Sequence, residues 1–136
     1  KKESYKYYKK TIKLEPNHAP ALNNYAYYLS EEGKQLKRAL QMSKRTIELE
    51  PENSTYLDTY AWILHKLGRN AEAKTVLKQA MVFGGNENAD IIDHYAEVLY
   101  SLGERDLAFM YWIQADKLDP SLGIASKVEE IKSGRR

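Results

Sequence analysis

Tyr25, Tyr60 and Tyr95 stand 35 residues apart, each followed directly by an alanine, and the stretches around them repeat one pattern. After each Tyr-Ala pair comes an apolar residue three positions on, then a glycine, a small residue and a break. The stretches run from Ala21 to Pro51, from Tyr56 to Gly85 and from Ile91 to Pro120. A fixed period of this size constrains the fold more than any other feature. Such chains stack two-helix units in a line, and each unit buries its apolar face only against its neighbours. The repeat therefore predicts a binding protein and leaves the ligand open.

Apolar residues recur at helical spacing throughout, without strand-like alternation. Gly33, Gly68 and Gly103 turn the chain inside the stretches. Glu15-Pro16-Asn17, Glu50-Pro51-Glu52-Asn53, Gly84-Gly85-Asn86 and Asp119-Pro120-Ser121 break it between them. Glycine supplies the positive φ that ends a helix, and proline cannot continue one. Eight helices are expected, at roughly 1–14, 19–32, 35–49, 54–67, 70–83, 88–102, 104–118 and 121–132.

Three sets of residues carry a family resemblance. They are Leu22, Tyr25, Ala26 and Leu29 with Ala39, Ser43, Thr46 and Pro51; Leu57, Tyr60, Ala61 and Leu64 with Ala73, Leu77 and Ala80; and Ile92, Tyr95, Ala96 and Leu99 with Ala108, Trp112, Ala115 and Pro120. In these the chain resembles the tetratricopeptide repeat, whose unit of about 34 residues is a pair of antiparallel helices. The resemblance implies an all-α fold, a right-handed α-solenoid of about eight helices. It implies one domain over 1–136, with repeats at 19–53, 54–88 and 89–120. Residues 1–18 would be the second helix of a truncated repeat and 121–133 a C-terminal capping helix. Ala26, Ala61 and Ala96 fall where helix axes approach closely, and a large side chain there would push them apart.

The pattern has departures. Gly33 to Ala39 is one residue longer than Gly68 to Ala73 or Gly103 to Ala108, and another extra residue lies near Asn88. Gly84-Gly85 replaces the acidic-Pro end of the second unit. At the ends, Tyr5, Tyr8, Ile12 and Leu14 read as an apolar back that lacks its helix partner. Under the reading of a structural scaffold end, Tyr5, Tyr8 and Ile12 could form a homodimer surface. Leu122, Ile124, Ala125, Val128 and Ile131 read as the cap that a solenoid needs, with Ser133 to Arg136 as a polar tail. The chain opens at Lys1 without a methionine, so it reads as the closing piece of a longer protein, any targeting signal lying upstream. The stretch from Leu57 to Gly68 resembles the closing units of bacterial multi-repeat proteins, which implies a bacterial cell envelope or periplasm ahead of the cytoplasm.

Composition excludes several functions. Lys and Arg number 21 against 19 Asp and Glu, a net charge of +2, too balanced for the basic stripe that nucleic acid demands. No run of about 18 apolar residues is present to span a membrane. With no cysteine, disulfides, thiolate catalysis and cysteine zinc sites are ruled out. The chain has no phosphate-binding glycine loop, no H-E-x-x-H helix and no G-x-S-x-G elbow, so no enzyme and no cofactor is expected. His65 and His94, with Asp58 and Asp93 near, fall short of the three or four convergent ligands of a metal site. His18 reads as a solvated loop residue, and Glu31-Glu32 and Glu129-Glu130 as solvated faces. Asn53-Ser54-Thr55 matches a glycosylation sequon but reads as a helix cap. Of the eleven tyrosines, Tyr8, Tyr25, Tyr60, Tyr95 and Tyr111 are expected in the core with the hydroxyl at the surface.

In the family that the chain resembles, first helices line a concave groove. By register the groove would present Asn23, Asn24, Tyr27, Ser30 and Glu31; then Thr55, Asp58, Thr59, Trp62, His65 and Lys66; then Asp90, Asp93, His94, Glu97, Tyr100 and Ser101. Trp62 reads either as a contact residue, since Ala61 and Ile63 take the core positions and tryptophan dominates binding hot spots, or as a ring packed along the inner surface within the array. The cationic clamp by which some family members grip a C-terminal carboxylate is missing apart from Asn23. An acidic inner surface of Asp58, Asp90, Asp93 and Glu97 favours a neutral or basic segment with an aromatic or apolar anchor. Replacing Trp62, Asp58 or Asp93 should then abolish partner capture and leave the fold intact. The expected function is a non-catalytic module that binds a peptide or helix of a partner protein. The alternative is a structural, oligomerising end of a longer scaffold.

Overall fold

The structure, a computed structural model, describes residues 2–135. Lys1, expected to open the first helix, and Arg136, expected in the polar tail, lie outside them. Among the described residues there are eight α-helices and no strand. They are α1 (Lys2–Leu14), α2 (Ala19–Glu31), α3 (Leu36–Leu49), α4 (Ser54–Lys66), α5 (Asn70–Val82), α6 (Ala89–Ser101), α7 (Arg105–Leu118) and α8 (Ile124–Lys132). None is long and apolar enough to cross a membrane.

The period sets the local structure before it sets the packing. The N-caps of α2, α4 and α6 are His18, Asn53 and Asn88, again 35 residues apart. Each side chain accepts a hydrogen bond from the amide three residues on: Ala21 at 3.2 Å, Tyr56 at 3.0 Å and Ile91 at 3.1 Å. This satisfies one of the orphan donors of a first turn. His18 is therefore a helix cap, not a solvated loop residue. The same helices end alike. Gly33, Gly68 and Gly103 have positive φ, and the following residue reaches back to Leu29, Leu64 and Leu99 at 2.8–3.0 Å. That paired closure is the Schellman motif, which needs a left-handed residue at its turn.

The departures from the pattern have local solutions. The extra residue after Gly33 is absorbed by Gln35, which takes a left-handed φ of 48° before α3. After α5 the chain makes a short 3-10 turn, Gly85–Glu87. There Gly85 is packed so tightly that a Cβ would lie 2.6 Å from the Ala80 carbonyl oxygen. The last helix begins at Ile124, not near 121. Pro120–Leu122 forms a 3-10 turn, and Gly123 at φ 71° redirects the chain.

Helices pair as α2 with α3, α4 with α5 and α6 with α7, and each pair stacks on the next. Ala26, Ala61 and Ala96 are fully buried at the close approaches, as are Leu64, Leu77, Leu99 and Trp112. Removing such a leucine from water stabilises the fold by roughly 1.5–3 kcal/mol. Tyr25 and Tyr95 are buried, and Tyr8, Tyr60 and Tyr111 pack partly buried against the core. The first helices also touch one another, α2 to α4 and α4 to α6, whereas α3, α5 and α7 do not pack together to a comparable extent among the described residues. The stack therefore closes toward the first helices, which form its inner wall.

At the ends, α8 covers α7 with Ile124 and Ile131 buried. At the other end Tyr5, Tyr8 and Ile12 turn onto the Leu22–Tyr25–Leu29 cluster of α2. The Tyr5 hydroxyl donates to Glu32, so Glu32 is tied to α1 and is not part of a solvated face. Tyr5, Tyr8 and Ile12, the expected dimer surface, thus pack in part against the cluster around α2. The apolar side chains that α1 leaves exposed are Tyr7 at 64% and Leu14 at 71%.

Candidate functional site

Three first helices deliver polar side chains to a single cavity of about 360 Å³. Asn23, Asn24 and Tyr27 come from α2; Thr55, Asp58 and Thr59 from α4; Asp90, Ile91 and His94 from α6, with the cap Asn88 beside them. Within each helix the positions at its two ends are four apart (23 and 27, 55 and 59, 90 and 94), with a third between them, so they crowd one face. Between helices they are related by the period: Asn24, Thr59 and His94 are 35 apart, as are Asn23 and Asp58, and Thr55 and Asp90. One register of the repeat, used three times, makes one cavity.

The cavity wall is held by a pair bridging α4 and α6. His94 Nδ1 lies 2.8 and 3.0 Å from the two carboxylate oxygens of Asp58. Burial works against a charged imidazole. The charge and hydrogen bond of Asp58, with Asp93 and Asp90 behind it, outweigh that and hold the His94 pKa above its ordinary value. The Trp62 ring stacks on His94 at 4.2 Å between centroids and approaches His65 at 4.8 Å, with the Lys66 ammonium 5.4 Å over it. Its indole nitrogen is buried and has no hydrogen-bond partner among the described residues. His65 is fixed in turn, 2.6 Å from Asn70.

Two α2 residues report the cavity's electrostatics. Burial pushes the Tyr27 hydroxyl well above its ordinary pKa, helped by its hydrogen bond to Glu31 and by the charges of Glu31, Asp58 and Asp90. Asn23 is only 7% exposed, and its buried Oδ1 finds no donor among the described residues. The step that pairs Asp58 with His94 would pair Asn23 with Thr59, but the Thr59 hydroxyl donates to the Thr55 carbonyl at 3.2 Å.

One period beyond Asp58, the inner wall is closed by the cap. Asp93 accepts the Trp112 indole N–H at 2.7 Å and takes the Lys127 ammonium of α8. Lys127 also lies 3.1 Å from Glu97 and 5.1 Å over the Trp112 ring. Tyr100 leans on Trp112 and Phe109 under the Arg105 guanidinium.

The model of the family described as Tetratricopeptide repeat matches residues 7–41. Solved structures extend the likeness over most of the chain. The first TPR domain of human RPAP3 superposes with a TM-score of 0.76 at 15% identity, covering 87% of this chain and 92% of that one. TTC0263, a thermophilic TPR protein of Thermus thermophilus, gives 0.77 at 19% identity, covering 90% and 68%. YrrB, a TPR protein with an unusual peptide-binding site, gives 0.70 at 26% identity over 83% of this chain; the chain spans 57% of YrrB's own length. The chain has the fold of tetratricopeptide-repeat proteins. No curated protein sequence matches it significantly.

Tetratricopeptide arrays are generally non-catalytic protein-interaction modules, and the fold of this chain supports a role of that kind. Of the groove residues expected from sequence, the fold brings Asn23, Asn24, Tyr27, Asp58, Thr59 and His94 together in the cavity. Trp62 and His65 adjoin it through the ring stack on His94. Asp93, Glu97 and Tyr100 do not reach it, being engaged by α7 and α8. Ser30 is buried, with its hydroxyl on the Tyr27 carbonyl at 2.6 Å. The expectation that Asp93 can be reversed without harm to the fold is corrected: its carboxylate satisfies a buried indole and anchors the cap. Asn88 and Ile91 line the cavity although the sequence pattern does not single them out. The signal is present in Asn88, which repeats the cap at Asn53 and so marks where α6 enters the inner wall. Among the described residues no three His, Asp or Glu side chains are placed to hold a metal ion.

Proposed function

We propose that this array holds a segment of a partner protein, non-catalytically, against the inner faces of α2, α4 and α6. The observation that carries the reading is the convergence of three first helices on one polar cavity of about 360 Å³. That volume is near the lower end of binding sites, roughly 300–1,000 Å³, and suits one or two residues of a longer segment. Asp58, Asp90 and Glu31 give the wall a negative bias, which favours a neutral or basic segment. The half-buried Trp62, with its unpaired indole N–H, offers a flanking platform for an apolar or aromatic anchor. The peptide-binding relative YrrB supports the same reading.

Selection of peptides from a displayed library tests it. Peptides enriched on the wild-type chain should lose binding to Asn24→Arg and Thr55→Arg, both exposed positions at the cavity. Enrichment that survives both substitutions contradicts the proposal. A second reading, the structural end of a longer scaffold, draws on exposed Tyr7 and Leu14 of α1. It requires association that Tyr7→Glu with Leu14→Glu abolishes, measured by sedimentation.

A further inference from the structure

We infer that the cavity between α2, α4 and α6 is a receptor for one cationic side chain, a lysine or arginine of the bound segment, held by Asn23, Asp58 and Asp90. The inference rests on the groove reading above and names what its central subsite takes.

Asn23, Asp58 and Asp93 are one register position repeated at 35-residue intervals. At the last two steps the chain supplies its own donor from a following helix. Asp93 holds the Lys127 ammonium, which Glu97 and the Trp112 ring also face. Asp58 holds His94 on both oxygens. At the first step no such donor arrives. Thr59 spends its hydroxyl proton on Thr55, and Asn23 Oδ1 stays buried and unpartnered. It is at this step that the cavity opens. An acceptor in that condition carries a desolvation cost that a ligand's N–H would remove.

The rest of the lining agrees. Asp90 is exposed in the first turn of α6. A carboxylate offers about four acceptor sites, so Asp58 keeps free lone pairs beside its one imidazole donor. An ammonium or guanidinium carries enough donors to use Asn23, Asp58 and Asp90 together. A carboxylate ligand would instead meet Asp58, Asp90 and Glu31 with like charge.

The test is a titration of the isotope-labelled full chain, followed by amide NMR, with a blocked Gly-Gly-Lys-Gly-Gly peptide. Controls are the same peptide with Nε-acetyl-lysine and with glutamate. The lysine peptide should shift amides in 23–27, 55–59 and 88–94, saturably. Affinity should fall about tenfold on acetylation, on Asp90→Asn and on Asn23→Leu, each fold checked by its own spectrum. Equal binding of the acetylated peptide, or indifference to Asp90→Asn, overturns the cation subsite and leaves the groove reading standing. Shifts confined to α6 and α8 around Asp93 also overturn it. If none of the peptides, nor any library-selected one, shifts any amide of α2, α4 or α6, both readings fall.

Discussion

Asp58 of α4 grips His94 of α6 through both carboxylate oxygens, at 2.8 and 3.0 Å, across the joint between two repeats. The pair is a wall of the cavity and a structural clamp at once. Its strength depends on the charge of one imidazole.

That dependence fixes the sign of a pH effect. The folded pKa of His94 lies above its ordinary 6.5. The clamp's contribution to stability is therefore complete below pH 6.5 and is lost as pH climbs through the raised folded value. Thermal unfolding between pH 5.5 and 9 should show the wild type losing stability on this rise more steeply than His94→Gln. Parallel curves for the two proteins would show that His94 carries no such linkage.

The cap depends on Asp93, which links Trp112 and Lys127. Asp93→Ala leaves the buried indole N–H unpaired and the Lys127 ammonium with Glu97 alone, and should cost about 2–3 kcal/mol in urea unfolding. Asp93→Asn keeps an acceptor for Trp112 and should cost less, about 1 kcal/mol. Equal losses for both variants would mean that the ion pair, and not the indole hydrogen bond, holds the cap.

Asn23 should behave in the opposite way. Its buried amide oxygen lacks a partner, so Asn23→Leu should raise stability by about 1 kcal/mol while weakening ligand binding. A site residue that costs stability is expected where function needs it. A destabilised Asn23→Leu would show that the amide already makes a stabilising contact.

Gly85 is required for lack of space. A Cβ would sit 2.6 Å from the Ala80 oxygen, 2.9 Å from its carbon and 3.0 Å from Ile91 Cγ2. Gly85→Ala should cost about 1–3 kcal/mol, with the urea m-value unchanged. A neutral substitution would mean that the turn into α6 has room to give.

Much of this is legible in the chain because the period is written in residues with strict physical roles. Alanines at the close approaches, glycines at the Schellman turns and asparagines at the caps each admit few substitutes, so the pairing of α2 to α7 can be read directly. Register then places Asn23, Tyr27, Asp58 and His94 on one wall. What register does not supply is the reach of side chains between elements that do not repeat. Lys127 belongs to the cap, so nothing in the period places it on Asp93 or removes Asp93 from the groove. Likewise Tyr5 and Tyr8, read from sequence as an apolar back without its helix partner, are partly covered through α2. The left-handed Gln35 that absorbs an extra residue, and the Gly123 turn that delays α8, are local choices that the pattern leaves open.

The most direct test of the account is amide mapping of a library-selected peptide on the labelled chain. Shifts should run along α2, α4 and α6, strongest around Asn23, Thr55 and Asp90. Shifts confined to α3, α5 and α7 would place the ligand on the outer wall and contradict it.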